Sequence, residues 1–219
     1  MTRLEFVDSP TEQTTAATDT ILAGLALVAA VYLPLIGQSQ PWKASLWAWA
    51  FGLLAVGAIL GAVAHGIHMP AATRKKLWQP LFLSLGLTVA LFMVGTIYDL
   101  WGLAAARRAL PLTIVVGLGF FGATLVWPDN FALFVIYEAA VMLFALAGYL
   151  WLAFDGRLHG AWLMVAGILV TILAAGVQAS NSVSFTFFWK FDHNGAYHLI
   201  QMVGMVLLTA GLRAALLSS

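Results

Sequence analysis

Apolar runs of about twenty residues recur along the chain, separated by short polar breaks. A helix that spans a bilayer needs roughly 20 apolar residues, because every backbone N–H and C=O must be paired inside the lipid. Seven stretches reach that length, at about 20–37, 43–68, 78–102, 108–126, 131–152, 160–179 and 193–216. The breaks between them, such as GQSQP, MPAATRKK, WPDN, FDGRLHG and SNSVSFTFFWKFD, are rich in turn-forming and polar residues. The pattern predicts an all-α membrane protein, a seven-transmembrane helix bundle formed as one domain over residues 20–219. Residues 1–19, MTRLEFVDSPTEQTTAATD, lack the basic start and short apolar core of a signal peptide and read as a retained polar tail.

Seven crossings place the N-terminus and the breaks after spans two, four and six on one membrane face, here face A. The other breaks and the C-terminus lie on face B. Arg3, Arg74, Lys75, Lys76 and Lys190 then belong to face A, against Lys43, Arg107, Arg108, Arg157 and Arg213 on face B. The total is balanced, and only the compact Arg74-Lys75-Lys76 run tips face A toward the cytoplasm.

Composition narrows the chemistry. With 62% hydrophobic and 9% charged residues the chain departs far from the roughly 25% charge of soluble domains. A net charge of +1 gives no concentrated basic surface for nucleic acid. Without cysteine there is no disulfide, thiolate metal site or iron–sulfur cluster, so a metal would be held by imidazole, carboxylate or carbonyl oxygen.

Polar residues inside the spans gather toward face A. His65 and His68 close span two before Pro70, and three positions apart they share a helical face. His193 and His198 open span seven in FDHNGAYHLIQM, Asp19 opens span one, and Gln178 with Asn181 closes span six. Glu138, in FALFVIYEAAVMLFAL, is the deepest ionisable residue and must be neutral, paired or bound to a cation. Four histidines at one level point to a metal, because catalytic zinc typically takes three protein ligands and a water. His193 and His198 lie about 140° apart on a regular helix, so either His193 precedes the first turn, with Asp192 or Asn194 as N-cap, or a π-bulge brings the two rings together. Asn194 and Gln201 share the face of His198 and, with Gln178, are candidates for supporting the ligands. Elsewhere, Asp99 is expected to pair with Arg107 or Arg108 across its turn, and His159 to lie in a hydrated turn with Asp155 and Arg157. Trp78, Trp127, Trp151, Trp189 and Tyr197 are expected as interfacial anchors. Glycines 52, 57, 61 and 66 suggest close helix packing near the polar cluster.

Seven spans, with AVAHGIH ending the second and HNGAYH opening the seventh, resemble the CREST superfamily of membrane hydrolases, which includes alkaline ceramidases and the progestin and adipoQ receptors. FDHNGAYHLIQM looks like the signature of a bacterial branch of such proteins, which implies a bacterial inner membrane. The resemblance implies that His65 or His68, with His193 and His198, holds zinc near one membrane face, where a zinc-bound water attacks an amide in a lipid. The expectation is therefore a zinc-dependent hydrolase acting on an amide or ester of a membrane lipid, with Glu138 or Asp19 accepting the water's proton. A non-catalytic haem or metal protein with two axial histidines is the alternative from another class. A proton-coupled transporter is a third, and would want polar residues in both halves of the membrane.

Overall fold

A computed structural model describes residues 5–128, 132–180 and 182–218. Helix α1 runs Pro10–Ile36, starting well inside the expected polar tail, with Ser9 as N-cap and proline at the first position, where its missing N–H costs nothing. Thr14 Oγ1 donates to Pro10 O (2.8 Å) and Thr18 Oγ1 to Thr14 O (3.0 Å), so this threonine-rich stretch can be buried with its hydroxyls satisfied. The remaining helices are α2 (Pro41–Gly66), α3 (Ala71–Val126), α4 (Ala132–Phe154), α5 (Ala161–Ser180) and α6 (His193–Leu217). All six are long and apolar enough to cross a membrane. Their outward faces carry Val28, Val31, Val115, Ile136 and Val206, each more than half exposed. The chain is an all-α, membrane-embedded protein.

Expected spans 78–102 and 108–126 both fall within α3, so the described residues form six helices rather than seven separate ones. A straight helix of 56 residues would be about 84 Å long. Instead the backbone leaves helical geometry at Gly102 (φ 81°, ψ −179°), a region open essentially to glycine alone. The two arms fold back on each other: a Cβ on Gly86 would lie 2.7 Å from the Phe120 ring and 3.2 Å from Gly117 O. Near the bend, Lys43 Nζ lies 2.5 Å from Asp99 Oδ1, with both side chains buried, and Tyr149 donates to Asp99 Oδ2 at 2.8 Å. Asp99 therefore pairs with Lys43 of the neighbouring helix and not with Arg107 or Arg108, which stay exposed. A buried carboxylate needs a partner inside the bundle, and Lys43 supplies it there.

Each helix packs on its neighbours in the chain, and α6 closes the ring against α1. Glycine makes the α5–α6 seam close: a Cβ on Gly167 would meet Gly204 O at 3.0 Å, and one on Gly211 would meet Gly160 O at 3.1 Å. Between α5 and α6 the aromatic segment forms a hairpin, β1 (Phe185–Phe187) and β2 (Trp189–Phe191), where the sequence suggests only a loop.

Candidate functional site

At the face A end the ring encloses a cavity of about 840 Å³. Its polar wall is built by α1, α2 and α6. Gly61 and His198 each lie five residues from their helix ends, about 8 Å below the face A end. There His198 Nε2 lies 3.2 Å from Asp19 Oδ1, with both side chains more than nine-tenths buried. Asp19 reaches this position because Gly61 leaves room: a Cβ on Gly61 would be 2.7 Å from Asp19 Oδ2. On the other side of the ring, Thr18 Oγ1 is 3.0 Å from His198 Nδ1. Thr18 also bonds to Thr14 O and Thr15 O. With its single proton given to either carbonyl, Thr18 accepts from Nδ1–H, which directs the Nε2 position at Asp19. The contact then holds one shared proton, carried by imidazolium or by the carboxyl.

The other expected histidines are distributed differently. His65 donates Nδ1–H to Glu12 Oε2 at 2.7 Å, lines the cavity and lies edge-on to Trp78, with ring centroids 5.7 Å apart. Trp78, expected as an interfacial anchor, forms part of the cavity wall. His68 does not share the face of His65, because α2 stops at Gly66 and the chain runs on extended. Val7 N bonds Gly66 O and His68 N bonds Glu5 O, so residues 66–68 pair with the N-terminal segment. His68 is half exposed, 3.8 Å from Asp8. His193 is the first residue of α6 and lines the cavity mouth. The cap is Asp192, whose Oδ1 accepts from Asn194 N and Gly195 N at 3.0 Å each, so the two-histidine spacing is resolved by the helix start and not by a π-bulge.

Asn194 accepts from Gln178 Nε2 at 3.4 Å, joining α5 to α6 at the mouth. Asn181 lies outside the described residues. Gln201 is buried with Oε1 lacking a hydrogen-bond partner, and it does not line the cavity. Glu138 is buried in α4, also off the cavity wall, within electrostatic range of Tyr197, which does line it. Of the three glycines below Gly52 on α2, Gly61 faces Asp19, Gly57 faces Leu85 and Gly66 faces Ala16, whereas Gly52 faces open space.

Residues 14–217, nearly the whole chain, match the family of unknown function DUF6962. The chain belongs to the DUF6962 family. No curated protein and no solved structure matches it. Two contacts around the candidate site of this DUF6962 chain have no signal in the sequence: Glu12 sits in a stretch that reads as tail, and Thr18 is a neutral hydroxyl beside the more conspicuous Asp19.

The fit of the expected metal follows from the donors. Two ligands of tetrahedral zinc lie roughly 3.3 Å apart, which matches the Asp19–His198 separation of 3.2 Å. A third ligand is missing: among the described residues no group of three His, Asp or Glu side chains is gathered closely enough to hold a metal. The candidate site of this DUF6962 chain is thus a carboxylate–imidazole pair. A haem bound through His198 would have to displace either Thr18 or Asp19 from the ring nitrogens.

Proposed function

We propose that this protein is an intramembrane hydrolase that cleaves an amide or ester bond of a membrane lipid, with Asp19 and His198 handling the protons. The observation that carries the reading is their pairing in the wall of a cavity that is polar at its mouth and apolar at depth. Leu54 and Leu85 line the same cavity some 18–21 Å below the helix ends, deep enough to take an acyl chain. A carbonyl held between mouth and depth sits level with the pair. Water attacks that carbonyl carbon and gives one proton to the Asp19 carboxylate, while imidazolium at His198 gives its proton to the leaving oxygen or nitrogen. The acyl–O or acyl–N bond breaks, a carboxylic acid and an alcohol or amine form, and proton return from Asp19 to His198 across 3.2 Å restores the pair. In this reading α3 crosses the membrane once with each arm, giving seven crossings, and the cavity opens to the cytoplasmic side of a bacterial inner membrane.

The test is product formation by purified full-length protein supplied with a panel of acyl amides and acyl esters. Asp19→Asn and His198→Gln should each lower turnover by about 10²–10⁴-fold, the usual weight of general acid–base catalysis. Unchanged turnover in both variants sinks the assignment. Stoichiometric zinc that disappears in His198→Gln would transfer the chemistry to a metal.

A second reading is favoured by one observation. The buried Lys43, Asp99 and Tyr149 cluster gives the opposite end of the bundle its own polar group, as a proton-coupled transporter requires. Proton uptake into proteoliposomes that depends on Asp19, without any lipid product, would select it.

A further inference from the structure

The mouth of the cavity carries charge that the hydrolytic pair does not use. Arg74 and Lys75, in the first turns of α3, both line it. Neither makes a salt bridge among the described residues, and Arg74 Nε is buried without a hydrogen-bond partner. A buried guanidinium nitrogen left unpaired is costly, and a planar donor fork is the group that best receives a phosphate or carboxylate. Lys76, the third member of the basic run, does not line the cavity. The charge is therefore aimed and is not merely spread over the membrane face.

Down the cavity the chemistry is ordered: two cations in the first turns of α3, the proton-handling pair about 8 Å below the helix ends, and leucines some 18–21 Å below them. We infer that the ligand is an anionic acyl lipid, with a phosphate-bearing head held by Arg74 and Lys75 and its acyl chain laid against the deep apolar wall. The volume of about 840 Å³ falls within the range of pockets that enclose a single small ligand. This inference rests on the reading of the cavity as a lipid site, and it adds the class of head group.

Binding tests it without reference to turnover. Full-length protein in phosphatidylcholine nanodiscs is titrated with 1-oleoyl-glycerol 3-phosphate carrying a fluorophore at the acyl end, and with the equally labelled, uncharged monooleoylglycerol. The phosphate lipid should bind about tenfold more tightly or better, the scale of a charge-assisted contact. Arg74→Gln and Lys75→Gln should each lose most of that preference while keeping their affinity for monooleoylglycerol, which also reports that the variants are folded. Lys76→Gln should bind as the parent does. An equal loss in Lys76→Gln, or no preference in the parent, overturns the inference in favour of general surface attraction. Free glycerol 3-phosphate competing as well as the lipid would also overturn it, by making the ligand a soluble phosphate. Selective binding without any product leaves the head-group site standing and removes the hydrolase, whereas turnover of uncharged lipids alone does the reverse.

Discussion

Asp19 is set by contact with a backbone and not only by its partner. With Oδ2 lying 2.7 Å from the place of a Gly61 Cβ, a single added methyl must push the carboxylate off His198 or part α1 from α2. Gly61→Ala is expected to cost about 1–3 kcal/mol as overpacking and to lower turnover nearly as far as Asp19→Asn. Gly52→Ala, where nothing lies within 4 Å, should leave both thermal midpoint and turnover unchanged. A Gly61→Ala protein with full activity would show that the pair does not depend on this close approach. Asp19 and His198 were legible in the sequence because each is an ionisable side chain at the opening of an apolar run. Their partners were not. Thr18 beside His198, like Glu12 beside His65, becomes visible only once α1 is known to begin at Pro10, and His68 parts from His65 only because residues 66–68 pair with the N-terminal segment.

At the scale of the element, α3 depends on one residue. The φ of 81° and ψ of −179° at Gly102 are essentially closed to side chains, so Gly102→Ala should cost about 1–3 kcal/mol, measured as a lower thermal midpoint in detergent. Gly119→Ala, in a helical stretch with nothing within 4 Å, serves as the control and should be neutral or slightly stabilising. An unchanged midpoint for Gly102→Ala would mean that the bend is held elsewhere, for example by the Lys43–Asp99 pair. Helix extents were largely readable, since a hydropathy run is a one-dimensional property: α2, α5 and α6 end within two residues of the expected 43–68, 160–179 and 193–216. The start of α1 was hidden by threonines whose hydroxyls bond to their own helix. The partner of Asp99 was hidden because Lys43 lies 56 residues away and reads as a surface charge.

For the whole molecule, whether each arm of α3 crosses the membrane decides where the ends lie. An odd number of crossings puts residues 8 and 218 on opposite sides, whereas an even number puts them together. The chain contains no cysteine, so Asp8→Cys and Ser218→Cys each introduce a unique thiol at an exposed position. A membrane-impermeant maleimide applied to intact spheroplasts should label one variant and spare the other until the cells are opened. Labelling of both, or of neither, from outside would rule out seven crossings. The same experiment orients the cavity, because Asp8 lies at its end of the bundle beside His68. Sequence alone could not do this, with the basic residues divided evenly between the two faces.

The contact of His198 with Thr18 spans 180 positions, so α6 can close on α1 only after the helices between them have been made. Until α6 emerges, Asp19 waits in the bilayer without its imidazole. A nascent chain in that state must keep its carboxyl protonated or shelter it in the translocon. The Asp19–His198 pair therefore forms only once α6 is in place, and a copy truncated before α6 would leave the Asp19 carboxyl in the bundle without its imidazole.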